Sequence, residues 1–190
     1  MGVSRIAYLV LLALVGVLRL VELRISRNHQ REMAAAGAVR VAERGFGAMV
    51  FVHTAVLIAA ALEVVLLRRP FIPVLALVMG ALFLVSNLVR LWVIRTLGRH
   101  WNVQVMNSAP LGVVSSGPYR WVRHPNYSAV FVELIALPLI HTAWITAIGA
   151  AIGNAWVLHS RLSAEDRMLL SNPAYQAAMG GKPRFIPRFL

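Results

Sequence analysis

The stretch Ser116-Gly-Pro-Tyr-Arg-Trp-Val-Arg-His-Pro-Asn-Tyr127 decides how the rest of the chain is read. It concentrates two prolines, two tyrosines, a tryptophan, two arginines and a histidine in one short segment. Each proline fixes its own φ and disfavours helix in the residue before it. Gly117-Pro118 and His124-Pro125 are therefore expected to be non-helical corners. The residues that follow, Tyr127 to Ile140, are apolar, so the corners mark the point where a polar loop meets an apolar segment.

That boundary between polar and apolar sequence is one of several. Apolar residues make up 59% of the 190, charged residues only 14%, and mean hydropathy is +0.70. Those values describe an integral membrane protein. The net charge of +12 comes from basic residues that punctuate apolar runs instead of forming one stripe. They read as topology signals, and no nucleic-acid partner is expected. The absence of cysteine excludes disulfides, thiolate metal sites and a cysteine nucleophile, and no metal site is expected.

Phe46–Leu67 and Ile72–Ile94 meet the roughly 20 residues that cross a bilayer, and Ile6–Leu23 approaches them. Tyr127–Ile140 and Trp144–Leu158 are shorter and are separated by His141-Thr142. The expected architecture is all-α: a polytopic transmembrane protein with about five membrane helices, the last two a hairpin. It reads as one domain over 1–190, with three N-terminal helices in 1–96 and the loop, hairpin and tail in 97–190. The first run has the basic start of a signal peptide at Arg5. However, it continues into Arg19, Glu22 and Arg24 at helical spacing without a small-residue cleavage site, so a retained helix is expected. Its end, through Arg24, Arg27 and Arg31, reads as an amphipathic extension in the headgroups, broken at Ala34–Ala38.

Placing the N-terminus outside puts Arg24, Arg27, Arg31, Arg40, Arg44, Arg90, Arg95 and Arg99 on the inner side. Arg120, Arg123, Arg161, Arg167, Lys182, Arg184 and Arg188 join them, and only Arg5, Arg68 and Arg69 stay outside. This is the positive-inside pattern. It sets the opening loop and the tail in the cytosol.

Ionisable side chains within membrane segments are costly and are functional candidates by default. Here they are Arg19, Glu22, His53, Glu63, Arg90, Glu133 and His159, with the amides Asn87 and Asn154. Arg19 and Glu22 are an i,i+3 pair. Arg90, near the end of its run, is expected to snorkel. His53 and Glu63 lie deeper and are candidates for a substrate cavity. Glu133, two turns beyond Tyr127, is placed to point into whatever the loop roofs. A second polar cluster, Arg161-Leu-Ser-Ala-Glu165-Asp166, follows the last apolar run, with Arg161 and Glu165 on one helix face. A hairpin would bring Tyr119, His124 and Tyr127 against it. Carboxylate and aromatic faces together suit a cationic small molecule. The alternative is an anchor belt of Tyr, Trp and Arg with an Arg161–Glu165 salt bridge.

The order Gly-Pro-Tyr-x-x-x-Arg-His-Pro-x-Tyr, an apolar hairpin, Arg-x-x-x-Glu-Asp and then Tyr175 resembles the isoprenylcysteine carboxyl methyltransferase family over roughly Leu97 to Pro187. The resemblance implies a membrane enzyme using S-adenosylmethionine and a lipophilic acceptor. It implies cofactor contacts from Gln104, Leu111, Gly112, Val113, Val114, Tyr119, His124, Pro125, Asn126, Tyr127 and Glu165. Asp166, standing where the family has a second glutamate, is implied as a further cofactor contact, and Arg161 matches the family's substrate arginine. Met179 stands near the place of a second tail tyrosine. In the N-terminal half, Arg19-Leu-Val-Glu-Leu, Ser26-Arg-Asn28, Gly37-Ala38, His53 and Glu63 resemble a bacterial branch linked to polyketide synthases, which O-methylates alkylpyrones and alkylresorcinols. A carboxylate acceptor is ionised at pH 7 and needs only an arginine to orient it. A phenol of pKa ~10 needs a base, for which His53, Glu63 and Glu133 are the candidates, and the sequence does not choose among them. Methylation of a phospholipid or other small lipid, or a non-enzymatic scaffold binding anionic lipid, are the competing readings.

Overall fold

The computed structural model describes residues 2–40, 45–104, 106–107 and 111–187; Arg44 and Arg188 of the inner-side charges lie outside them. Among the described residues are α1 (Val3–Ala35), α2 (Gly45–Leu66), α3 (Pro73–Leu97), α4 (Pro125–Leu139), α5 (Trp144–Leu170) and α6 (Pro173–Met179). Two-residue strands β1 (Val39–Arg40) and β2 (Met106–Asn107) pair antiparallel, with Val39 opposite Asn107 and Arg40 opposite Met106.

Three helices, α1, α2 and α3, are long and apolar enough to cross a membrane. Their large side chains point outward, as they do where the solvent is lipid. Leu14, Phe51 and Leu77 are each more than 60% exposed. With no water to exclude between helices, association rests on close packing of small residues. Ala60, Ala143, Ala147 and Ala150 are buried between helices, and Gly153 abuts Val52. α4, at 15 residues, is about 22 Å long, short of a 30 Å hydrocarbon core.

Helices outrun the apolar runs that announce them. α1 continues past Leu23 as one helix to Ala35, then stops at Gly37, whose φ of +90° closes the turn. The headgroup extension is thus the same helix continued, and its Ser26 and Met33 are buried. α5 likewise runs twelve residues beyond Leu158 to Leu170. Tyr8 on α1 donates to the Leu137 carbonyl on α4 at 3.1 Å, which fastens the first helix into the bundle.

The far end of the bundle, away from the opening motif, is closed by Glu63. Its carboxylate accepts from the Thr146 amide and hydroxyl, both at 2.7 Å, from the Ile145 amide at 3.1 Å and from Arg69 at 2.7–2.9 Å. It therefore neutralises the orphan N–H groups of the first turn of α5.

Candidate functional site

The two proline corners form as the residue types dictate. Gly117–Arg120 is a 3₁₀ turn, and α4 begins with Pro125 at its first position, where a missing N–H costs nothing. Gly117 has φ +55°, and a Cβ there would sit 2.4 Å from Thr96 Oγ1, so the corner is pressed onto the end of α3. These corners present Tyr119, His124, Asn126 and Tyr127 to one cavity of about 500 Å³, the size range of small-molecule sites.

From α5 the cavity receives Arg161 and Glu165. The Tyr127 hydroxyl donates to Glu165 Oε2 at 2.5 Å, and His124 Nδ1 lies 4.0 Å from its other oxygen. Tyr175 of α6 and Tyr119 also line this end. Burial and then the Glu165 charge push the Tyr175 phenol up to about 12 and the Tyr119 phenol higher still, so both stay protonated. Arg161 Nη2 donates to the Val103 carbonyl at 2.8 Å, and Nη1 reaches Met49 Sδ. The start of α2 must be thin to admit this side chain: a Cβ on Gly45 would be 2.5 Å from Arg161 Cγ. Gln104, Gly112, Val113 and Val114 supply the facing wall.

Three of the expected cofactor positions stand back from the cavity. Leu111 packs on Met33, Ala38 and Met106, and Pro125 starts α4. Asp166 is 3% exposed and fully engaged. It accepts from His124 Nε2 at 2.8 Å, Arg123 at 3.2 Å and Arg184 at 2.7 Å. Burial alone would raise its carboxyl, but the His124 and arginine partners hold it below the usual carboxylate range. Asp166 thereby orients His124 and ties the tail to the loop. The tail adds two backbone bonds, Arg123 and His124 amides to the Pro183 and Arg184 carbonyls, each 2.9 Å. Lys182 donates to the Tyr119 carbonyl at 2.8 Å and to Met179, which is fully buried. The tail closes over the site with methionine in that place.

The deeper end of the cavity is polar as well. Arg19, Glu22, Arg90 and His53 line it, among apolar Gly16, Leu20 and Leu57. The expected Arg19–Glu22 pair is present at 2.5 Å, and it is part of a larger set. Arg19 also reaches Glu133, and Arg90 reaches Glu22 at 2.5 Å and Glu133 at 3.8 Å. Two guanidiniums and two carboxylates from α1, α3 and α4 thus balance in charge, as buried ions must. Arg90 does not snorkel. It is 6% exposed in the interior of α3 because its partners are inside. Glu133 is held behind the cavity wall by the two arginines, and Glu63 sits at the far end. His53 Nδ1 lies 2.8 Å from the Met49 carbonyl. A carbonyl only accepts, so Nδ1 carries a proton, and in the neutral form of the ring the lone pair is on Nε2.

Residues outside the expected set also build the site. Ser26 accepts from the Val103 amide at 2.9 Å, and His29 meets the Trp101 carbonyl at 2.7 Å, so α1 holds the 101–104 segment. Asn102 lines the cavity too. Ser26 and His29 are spaced i,i+3 on the helix extension, a helical face that only the 101–104 segment makes sense of. Among the described residues, the buried side-chain carbonyl oxygens of Asn102, Gln104 and Asn126 have no hydrogen-bond partner. Such acceptors are expensive to strand, and they fit a ligand rich in N–H and O–H groups. With Glu165 for a cation and the tyrosine faces beside it, this donor and acceptor set fits S-adenosylmethionine.

A family model described as the isoprenylcysteine carboxyl methyltransferase (ICMT) family matches residues 76–171, half of the chain. The uncharacterized protein YpbQ of Bacillus subtilis (strain 168) is 30% identical over 160 residues, 84% of this chain and 94% of that protein.

Proposed function

The chain belongs to the isoprenylcysteine carboxyl methyltransferase family and so is a membrane methyltransferase, and we propose that it methylates an oxygen of a lipophilic acceptor with S-adenosylmethionine. The observation that carries this reading is one continuous cavity that joins the motif residues at one end to membrane-buried polar groups at the other. A donor seated on Glu165, Tyr127 and the stranded amide oxygens would lie beside Arg161, with His53 below. Bound there, the cofactor would supply a sulfonium methyl to the acceptor oxygen, with S-adenosylhomocysteine as the leaving group. The chain's own part is to hold donor and acceptor at near-attack separation and to keep water out, which α6 and the 180–187 tail accomplish by covering the loop.

Arg161 orients the acceptor's oxygen. His53 is the base the geometry favours, because its Nε2 lone pair is fixed by the Met49 contact and it lines the cavity. A base is needed for a hydroxyl and superfluous for a carboxylate. The acceptor therefore reads as a phenolic or enolic lipid of the alkylresorcinol or alkylpyrone kind, with a polyketide synthase as the source of supply. Amine acceptors are disfavoured because Glu22 and Glu133 are already neutralised by Arg19 and Arg90. We place the N-terminus outside, α4 and α5 as a fourth and fifth membrane helix forming a hairpin, and the motif end in the cytosol of a bacterial inner membrane. The whole chain acts as one domain.

The test is methyl transfer from labelled cofactor to a long-chain resorcinol or pyrone, measured against a prenylated cysteine and a phospholipid. Preference for the phenolic lipid is expected. Preference for prenylated cysteine would remove the hydroxyl reading, and absence of any transfer together with absence of cofactor binding would leave a lipid-binding scaffold.

A further inference from the structure

A second hollow, of about 320 Å³, is lined by Arg27, Gln30, Arg31 and Ala34 of α1, Arg40 of β1 and Met106 of β2. The α1 residues are spaced i, i+3, i+4 and i+7, so one helix face presents two guanidiniums, and β1 adds a third. Among the described residues, no carboxylate lies within ion-pair distance of Arg27, Arg31 or Arg40. Three like charges gathered round a hollow, with no such counter-charge among the described residues, repel one another, and an anion between them removes that cost.

We propose that this groove binds the headgroup phosphate of an acidic phospholipid. Depth points to a lipid as the source. α1 has 33 residues and is about 50 Å long. About 20 residues from its start exhaust the hydrocarbon core, which leaves Arg27 and Arg31 roughly 6–12 Å beyond it, at headgroup level. Towards the membrane the groove face of α1 continues to Leu20, seven residues before Arg27, which is apolar and 67% exposed. Acyl chains descending from a bound headgroup would cover Leu20, which a free phosphate leaves bare.

The headgroup has a mechanical consequence. Met106 borders both the groove and the large cavity, and it pairs with Arg40 across β1–β2. An anion bridging Arg40 to Arg27 and Arg31 fastens the two-strand partition to α1, and that partition is a wall of the cofactor cavity. Acidic lipid should therefore tighten cofactor affinity. This bracing rests on the methyltransferase reading, whereas lipid binding is measured with no cofactor present, so the two failures are distinguishable.

The experiment titrates the purified full chain with phosphatidylglycerol and reads bound lipid by native mass spectrometry. The Arg27→Gln/Arg31→Gln/Arg40→Gln variant should bind more weakly by roughly fivefold per arginine, on the order of 100-fold in all. The matching triple lysine variant should retain most of the affinity, and Arg24→Gln/Arg95→Gln/Arg99→Gln, outside the groove, should match the unaltered chain. Equal affinity in the groove variant, or an equal loss in the outside variant, overturns the site. Displacement of the lipid by millimolar inorganic phosphate overturns the lipid as occupant. In nanodiscs, S-adenosylhomocysteine should bind the unaltered chain severalfold more tightly in phosphatidylglycerol than in phosphatidylcholine. The groove variant should show no such gain, and lack of a difference in the unaltered chain overturns the bracing.

Discussion

Asp166 offers the sharpest perturbation of the site's framework. Its carboxylate is the meeting point of the opening loop, α5 and the tail, through His124, Arg123 and Arg184. In Asp166→Ala, Arg123 stays about nine-tenths buried without its partner, a situation that costs about 3–5 kcal/mol. The Arg184 side chain is 52% exposed, so water replaces most of its share, about 0–1 kcal/mol. Asp166→Asn keeps the shape and one acceptor oxygen, so it should lose less, about 2 kcal/mol. The folded carboxyl lies below its ordinary value. Its contribution is therefore complete above the unfolded value of about 4 and fades as pH falls through the lower folded one. Denaturant unfolding in detergent should show the unaltered chain losing stability below pH ~4 and Asp166→Asn changing less over the same window. Limited proteolysis should find the 180–187 tail released in Asp166→Ala. Equal stability of Asp166→Asn and the unaltered chain at pH 7, with parallel acid profiles and an intact tail, would refute the reasoning.

Two further substitutions separate chemistry from architecture. His53→Gln can still donate to Met49 but cannot accept a proton, so turnover of a long-chain resorcinol should fall by about 10²–10⁴ while a carboxylate acceptor loses little; equal losses on both would remove His53 as base. Glu63→Ala strands the first amides of α5 and should cost about 3 kcal/mol in thermal or denaturant unfolding, with cofactor affinity unchanged in the folded fraction; a changed affinity would place Glu63 in the site.

The three long helices and the two corners were legible because proline geometry and apolar length are local properties. The ends of α1 and α5 were not: hydropathy reports where lipid ends, while the helix continues through Arg27 or Glu165 as long as good helix formers follow. Arg19–Glu22 could be read from spacing, but its extension to Arg90 and Glu133 depends on which faces of α1, α3 and α4 meet. The same limit applies to Glu63. Its depth in the apolar run marked it as functional, and only the turn at 140–143 shows that it caps α5. Asp166 illustrates the finer resolution of structure, since one residue separates a carboxylate in the cavity from one that holds the frame behind it. The short β1–β2 pair has too few residues to leave a periodicity at all.

The proposed function requires that the motif loop and the end of α5 together make a cofactor site. Calorimetric titration of the purified chain with S-adenosylhomocysteine, repeated on Glu165→Ala, tests it most directly. The expected result is saturable binding that weakens at least tenfold, about 1.4 kcal/mol, when the Glu165 carboxylate and its bond from Tyr127 are removed. Binding of equal strength in both proteins, or none in the unaltered chain, would contradict it.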